Sequence, residues 1–494
     1  NILVGSGDGS KPIYWVSPNG AATWAGSRSE SPLGGSACSS IATANANASA
    51  GDTVYFRGGK YSYALQPSNS GLRGSPIVFS SYGNEDVVFT VPDDDHGRWG
   101  FVLSRKSWIK IVGIKFLDCA CFYHIGPDSH YNEIASCTFD TGRFDYSVGY
   151  TGGTKAPTQA DGSTHNWFHH CIFTKYGKLD LANSGTQTYV NDNGTVRFSA
   201  GYNDNTAHNT IENCVFSYGG HDCLDLGGRW NVVKNNVFHN EEAYYRNIYS
   251  LMLSRNDPVS GYFGNRCIHV SNAGDAVGTA FHNLIEGNRI GFAGTPPDDD
   301  GSSGIENAGA HTVVRFNDIY GNGGMGYYSK MQGVHESSVR SGSWGRVYNN
   351  NFFANGFGDP SIDTQFKHGI CIWSYTTYND WPENIVIKNN IVYGNYNEWR
   401  VGSSNILPQV TYENNFSLNP GFLNTDLSDK TSLTLPDLRV NAGSPCVDAG
   451  IPLTQASGAG SDSTALVVDD ALLFQDGSWG SALTHGVTHF PDWI

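Results

Sequence analysis

Five short segments of the chain place a chemically active residue beside or between apolar residues. They are TVRFS (195–199), CLDLG (223–227), CIHVS (267–271), GIENA (304–308) and GYYSK (326–330). If the apolar residues face a core, as in a strand with one buried face, the alternate residues point outward. The outward residues are then Arg197, Asp225, His269, Glu306 and Tyr328, with Lys330 two places beyond Tyr328. The same alternation points His124 outward in FYHIG (122–126), and Trp373 and Tyr375 outward in CIWSY (371–375).

A cation, two carboxylates, an imidazole and a phenol on neighbouring strands would suit chemistry on a sugar chain. For β-elimination from a uronate, Tyr328, His269 or Lys330 would remove the C5 proton. Arg197 or a carboxylate-bound cation would neutralise the substrate acid, and His124, Trp373 and Tyr375 would bind the glycan.

Two alternatives compete with β-elimination at these positions. For hydrolysis, Asp225 and Glu306 would stand two strands apart, roughly 9–10 Å. That separation favours inversion over retention. The other alternative is a solvated polar face, in which opposite charges on adjacent strands simply help the strands to pair. The sequence leaves these alternatives open.

Acidic residues elsewhere suggest a cation. Asp298, Asp299 and Asp300 follow two prolines, and a triple aspartate predicts a Ca²⁺-binding loop, with an acidic surface turn as the alternative. His221 and Asp222 open the CLDLG strand, where they could join Asp225 or form an exposed turn.

A repeated nine-residue phrase must position these strands. It has an aromatic residue or His first, often Asn second, an apolar residue fourth, Asn or Cys seventh and Phe or Ile ninth. The copies are YNEIASCTF (131–139), HNWFHHCIF (165–173), HNTIENCVF (208–216), WNVVKNNVF (230–238), HNLIEGNRI (282–290), HTVVRFNDI (311–319), WGRVYNNNF (344–352) and ENIVIKNNI (383–391), with looser copies at 108–116 and 408–416.

The repeat predicts an all-β solenoid, a right-handed parallel β-helix. Each copy alternates apolar residues as a half-buried strand does, and the seventh-place Asn or Cys would sit at a bend, bonded to its equivalent one coil away. Copies start 22 to 52 residues apart, which fits one bare coil with insertions of varying length. The amphipathic helices of a TIM barrel and the regular blades of a propeller are absent from the pattern.

Composition narrows the class of partner. The 494 residues carry a net charge of −16, which argues against nucleic acid or anionic membranes as partners, and no apolar run is long enough to insert into a bilayer. A polyanionic substrate would need a local basic patch or a bridging cation. The start at Asn1 and the ten cysteines without a CxxC pair favour an exported, extracellular protein in which some cysteines form disulfides.

Three segments resemble the bacterial pectate-lyase-like right-handed β-helix repeat proteins. They are YWVSPNG (14–20) with GDTVYFRGGKY (51–61) and SPIVFSSYG (75–83), the Asn-rich repeats, and the ending LNPGF…LPDLRVNAGSPCVDAG (418–450). The resemblance implies a cap and first coil over 1–60, the β-helix over 61–450 and a capping extension over 451–494.

The resemblance specifies architecture better than reaction, because the family includes lyases, hydrolases, epimerases and non-catalytic surface proteins. Neither the calcium and Lys/Arg pattern of chondroitinase-B-like lyases nor a polygalacturonase signature is present, so no catalytic residue is carried over. Three functions stay open: a secreted lyase acting on an acidic polysaccharide, an inverting glycoside hydrolase, and a non-catalytic surface or adhesive rod that self-associates.

Overall fold

The computed structural model describes most of the chain, in sixteen segments. These are residues 11–91, 99–142, 149–151, 162–176, 196–198, 206–219, 222–239, 266–270, 280–293, 302–331, 340–358, 364–374, 381–402, 407–428, 435–458 and 466–484. No helix among them is long and apolar enough to cross a membrane.

Three parallel sheets run along the molecule, and each coil contributes one strand to each sheet in turn. The sheet that we call sheet 1 holds the first half of each repeat. Its strands are Ile13–Val16, Thr53–Phe56, Ile77–Ser81, Ile109–Val112, Glu133–Ala135, Trp167–His169, Thr210–Glu212, Val232–Lys234, Leu284–Glu286, Val313–Arg315, Arg346–Tyr348, Ile385–Lys388 and Val410–Glu413.

Sheet 2 holds the second half of each repeat, after the bend. Its strands are Gly59–Tyr61, Val87–Phe89, Lys115–Cys119, Thr138–Gly142, Ile172–Thr174, Val215–Ser217, Val237–His239, Arg289–Gly291, Asp318–Tyr320, Asn351–Phe353 and Ile391–Tyr393.

Sheet 3 precedes each repeat and carries the predicted site. Its strands are Trp99–Val102, Cys121–Ile125, Gly149–Thr151, Val196–Phe198, Asp222–Leu226, Arg266–Val270, Ser303–Asn307, Met325–Met331, Ile370–Ser374 and Trp399–Val401. Because every pair within the three sheets is parallel and neighbours are one coil apart, the predicted parallel β-helix is confirmed.

Short elements lie outside the three sheets. One α-helix, Ile41–Asn47, follows the first strand, and its N-terminus is capped by Ser40, whose hydroxyl accepts from the Thr43 N–H. An antiparallel pair joins Phe422–Asn424 to Asp437–Val440. The 3₁₀ turns are Ala25–Ser27, Gly35–Ala37, Thr364–Phe366, Leu407–Gln409 and Ala471–Leu473.

The bend between sheets 1 and 2 is held by the predicted column of Asn side chains. Asn288 donates from Nδ2 to Oδ1 of Asn317 at 2.9 Å, Asn317 does the same to Asn350 at 2.9 Å, and Asn350 to Asn390 at 3.0 Å. These side chains are buried, so the ladder satisfies amides that would otherwise be costly to bury. It also locks the register from coil to coil.

The cysteines are free thiols, which corrects the expectation of disulfides. Three of them, Cys137, Cys171 and Cys214, occupy the Asn column in successive coils. Burial raises the pKa of Cys137 and Cys171 well above that of an ordinary thiol. The cysteines here act as small core residues, which the absence of spacing motifs could not distinguish from paired ones.

The C-terminal extension runs back along the corner between sheets 3 and 1. Asp470 bonds Arg346 at 2.8 Å, the Gly480 N–H donates to the Trp230 carbonyl at 2.7 Å, and the Ala482 N–H donates to His165 Nδ1 at 3.1 Å. The described part of the extension therefore straps several coils together. That the extension over 451–494 also covers the open sheet edge of the last coil stays a prediction.

Candidate functional site

The outward residues predicted on neighbouring strands form one column in sheet 3, in the predicted register. The backbone of Arg197 pairs with Asp225, Asp225 with His269, His269 with Glu306, and Glu306 with Tyr328. The apolar neighbours belong to the core, as the alternation requires: Val196, Leu224, Leu226, Ile268, Val270 and Ile305. The phase of these strands was therefore predicted correctly.

The column is more enclosed than a solvated face or an open groove. Asp225 is 2% exposed, Glu306 0%, Tyr328 1% and Lys330 6%, while the His269 side chain is 13% exposed. The solvated-face alternative is therefore wrong for these side chains. Charges removed from water must be paired or they destabilise the fold, so their partners decide what the column can do.

Two carboxylates flank the imidazole of His269. Its Nδ1 lies 3.6 Å from Asp222 Oδ2, and its Nε2 lies 3.6 Å from Glu306 Oε1. Arg266, on the same strand, bridges the same two carboxylates, from Nη1 to Asp222 Oδ1 at 3.0 Å and from Nε to Glu306 Oε2 at 2.7 Å. Lys330 Nζ adds a second cation on Glu306 Oε1 at 2.9 Å.

The charge state of Glu306 follows from these contacts. Burial acts to raise the pKa of Glu306, but Arg266, Lys330 and His269 outweigh it and hold the pKa at about 2. Glu306 is therefore ionised, and its carboxylate binds both Arg266 and Lys330 beside His269. A carboxyl group that stays ionised cannot donate a proton as a general acid.

Arg266 was missed by the sequence analysis, and Asp222 was only a secondary candidate. Strict alternation would turn both toward the core. Instead Cys223 and Leu224 are consecutive residues that both pack in the core, so alternation fails at the start of this strand and Asp222 reaches the outward cluster. The register that pairs Asp222 with Arg266 was a usable signal, since the two charges are opposite.

The later rungs of sheet 3 are aromatic and basic. Tyr328 packs with Met325, Phe366 and Cys371, and Trp373 lies against this group. Trp373 pairs in register with Lys330, so its outward orientation agrees with the prediction. One face of its indole is covered by the Arg400 guanidinium at 4.6 Å, so Trp373 is not an open stacking platform for a sugar.

The remaining predicted residues do not join the cluster or lie outside the described residues. His124 pairs in register with Tyr150, and Tyr150 with Arg197, so His124 lies three strands before Asp225 in the column. Its ring stacks on Trp99, with the ring centroids 5.0 Å apart. Burial lowers the pKa of His124. Four predicted residues (Tyr375, Asp298, Asp299 and Asp300) and His221 fall outside the described residues, as does the side chain of Arg197.

A different set of residues could surround a cation. One ligand atom from each of Asp222, Asp225 and His269 lies within 4.8 Å of the others. Ca²⁺ prefers six to eight oxygen ligands, whereas this set offers one nitrogen, and Asp222 already accepts from Arg266. With two buried cations beside it, the cluster fits Ca²⁺ poorly.

The comparisons with known proteins concern architecture. No family model matches the chain. The uncharacterised protein YwoF of Bacillus subtilis (strain 168) is 34% identical over 114 residues, which are 22% of this chain and 23% of that protein. The match thus spans less than a quarter of the relative's length.

The comparison with solved structures found chains of low sequence identity. Pectate lyase Pel9A aligns with a TM-score of 0.43 and 15% identity over 91% of this chain and 94% of its own. A rhamnogalacturonan lyase aligns with a TM-score of 0.45 and 13% identity over 88% of this chain and 97% of its own. The GH136 lacto-N-biosidase of Eubacterium ramulus aligns with a TM-score of 0.49 and 11% identity over 81% of this chain and 68% of its own. The parallel β-helix is shown by the strand order of this chain itself.

Proposed function

We propose that the protein is a polysaccharide lyase that cleaves an acidic glycan by β-elimination, outside the cell, with His269 as the proton acceptor. The observation that carries the proposal is the position of His269. Its imidazole stands between two carboxylates that are already neutralised by Arg266 and Lys330, in a column that faces away from the core.

His269 suits the role of base better than the other two predicted bases. Tyr328 is almost fully buried, and Lys330 is a cation bound to Glu306. The His269 side chain is 13% exposed although its Nε2 is buried, and among the described residues Nε2 makes no hydrogen bond of normal length, so a substrate would reach it only by displacing the side chains that cover it. The unprotonated form of this imidazole would accept the proton from C5 of the sugar.

The cations supply the second requirement of β-elimination. Removing the C5 proton places negative charge next to the substrate carboxylate, and nearby cations stabilise that charge most strongly where water is excluded. Arg266 and Lys330 are held rigidly by Glu306 within the same buried cluster. The three carboxylates and two cations leave a net charge of −1, so the substrate acid would have to approach the cationic side.

Hydrolysis is less well supported by the same residues. An inverting hydrolase needs one carboxylic acid with a raised pKa and one ionised base. Glu306 has its pKa held at about 2 by Arg266 and Lys330 against the effect of burial, so it cannot be that acid. The chain offers no comparable reason to prefer hydrolysis.

The experiment is a screen on pectate, alginate and glycosaminoglycans, with absorbance of the unsaturated product and new reducing ends measured in parallel. We expect both signals with one of these acidic polymers, and His269→Asn should lower turnover about 10²–10⁴-fold. The matched control is His169→Asn, a buried His on sheet 1 that should leave turnover unchanged.

Reducing ends without ultraviolet absorbance would replace the lyase by a hydrolase. Turnover that survives in folded His269→Asn protein would remove His269 from the reaction. No turnover of any polymer by the wild-type protein would refute the enzymatic proposal.

A further inference from the structure

The outward column of sheet 3 continues beyond the candidate site to an arginine. Tyr328 pairs with Cys371, and Cys371 pairs with Arg400 on the strand Trp399–Val401. Arg400 therefore stands three rungs from Glu306, about 14 Å at the usual spacing of parallel strands. A glycan chain lying along the column would reach both residues.

Arg400 is held flat by its surroundings. Its guanidinium lies 4.6 Å from the centre of the Trp373 ring. The indole packs so closely on the next coil that a Cβ at Gly402 would come within 2.1 Å of it, so only glycine fits there. Stacking of this kind orients the planar fork of Arg without using its N–H donors.

Arg400 has no anionic partner among the residues that the structure describes, whereas Arg266 and Lys330 are bound to carboxylates. Arg400 is half-buried, and within the described part of this acidic chain no carboxylate pairs with it. Its donors are therefore available to a ligand.

A buried histidine three residues before Cys371, the register partner of Arg400, adds a second observation. His368 is only 5% exposed, and within the described structure neither ring nitrogen makes a hydrogen bond of normal geometry. Burial first and the charge of Arg400 second lower the pKa of His368 to about 4, against a contact with the Gln365 backbone that acts in the opposite direction. At neutral pH the ring is uncharged. Buried polar groups usually find a partner, so an unsatisfied ring suggests one that arrives from outside.

We infer that Arg400 and His368 form a subsite for an anionic group of the glycan, a carboxylate or a sulfate ester, with the edge of Trp373 beside the sugar. The inference rests on the proposed function for the nature of the ligand, but its residues are separate from the His269 cluster. Arg400 would act in specificity and binding rather than in the elimination step.

Binding is measured by calorimetry with the full chain carrying His269→Asn, so that turnover does not consume the ligand. The probes are oligogalacturonate and oligomannuronate for carboxylates, a carrageenan oligosaccharide for sulfate esters, and cellohexaose as the neutral glycan. We expect one of the anionic probes to bind, and Arg400→Gln to weaken it about 10- to 100-fold, the usual loss for hydrogen bonds to a charged group. Arg400→Lys should recover only part of the affinity, because lysine lacks the flat stacked fork.

Arg439→Gln is the matched control. Arg439 is an exposed arginine paired with Asp437 on the antiparallel hairpin, and its loss should not change binding. Equal affinity of the anionic probe for the Arg400→Gln and parent proteins would overturn the subsite, as would a parent protein that binds none of the anionic probes.

The two proposals can fail separately. Arg400-dependent binding by a protein that turns over no polymer would keep the subsite and refute the lyase. Turnover that depends on His269, together with binding that Arg400→Gln leaves unchanged, would support the lyase and overturn the subsite.

Discussion

Two columns of outward charges run along the solenoid, and they are built differently. On sheet 1, consecutive rungs carry Glu212, Lys234, Glu286 and Arg315, so the sign alternates from coil to coil. Lys234 and Arg315 both bind Glu286 at 2.6 Å. Glu286 is thus neutralised by its two neighbours in the column, as expected of a ladder that stabilises strand pairing.

On sheet 3 the column does not alternate. Asp225, His269 and Glu306 follow one another, and the cations reach them from outside the column, from Arg266 and Lys330. His269 lies between two carboxylates, at a position where a ladder of alternating charges would have Lys or Arg. The comparison teaches that interrupted alternation, rather than the presence of charge, distinguishes a candidate site from a structural column.

The largest expected difference between the columns is in stability. Glu306→Ala leaves Arg266 and Lys330 buried with fewer partners, and we expect a loss of about 3–5 kcal/mol in the free energy of unfolding. Glu286→Ala should cost less, about 1–3 kcal/mol, because water reaches Lys234, which is 23% exposed, and because the buried Arg315 keeps its hydrogen bond to the Tyr348 hydroxyl. Urea unfolding of both variants tests this. Equal losses would mean that the two columns are energetically alike.

The two columns should also differ in how strongly acid lowers the free energy of unfolding. The pKa of Glu306 is lowered to about 2 in the folded protein, from roughly 4.3 when unfolded. Its stabilising contribution, about 3 kcal/mol, is therefore full above pH 4.5 and is lost as the pH falls toward 2. Measured from pH 5 to 2, unfolding of Glu306→Gln should depend less on pH than that of wild-type protein. Glu286→Gln should retain most of the wild-type dependence, and a wild-type slope in Glu306→Gln would contradict the assignment.

The smallest expected effect is that of a chelator. Since Asp222, Asp225 and His269 fit Ca²⁺ poorly, any change in melting temperature or turnover on adding excess EDTA or millimolar Ca²⁺ should be the same in the Asp225→Asn and wild-type proteins. A rise in melting temperature with Ca²⁺ that is lost in Asp225→Asn would show that the sheet 3 cluster holds the ion after all. The same rise persisting in Asp225→Asn would place the ion elsewhere in the chain.

Much of the architecture could be predicted from local pattern. The seventh-place Asn and the alternating apolar residues mark each coil, and because they repeat, they also fix which residues are neighbours in different coils. That is why Asp225, His269 and Glu306 could be aligned although 44 and 37 residues separate them along the chain. Disulfides were expected wrongly, because the spacing of buried free thiols along the chain does not differ from that of paired ones.

The site itself could be predicted only in part. Alternation correctly turned His269 outward, but it turned Arg266 inward, because a local departure at the start of a strand leaves no mark in the sequence. Trp373 was placed on the correct face, yet its indole is covered by Arg400 from the next coil.

The sequence by itself determined the coil, the register and the members of the outward column, because those depend on periodicity and repeat along the chain. Only the tertiary structure decided which of these charges are buried, which cation neutralises which carboxylate, and which arginine stacks on Trp373 with no carboxylate beside it in the described residues. Those outcomes depend on distances of a few ångströms between different coils and on the exclusion of water, and neither is encoded in the spacing of residues.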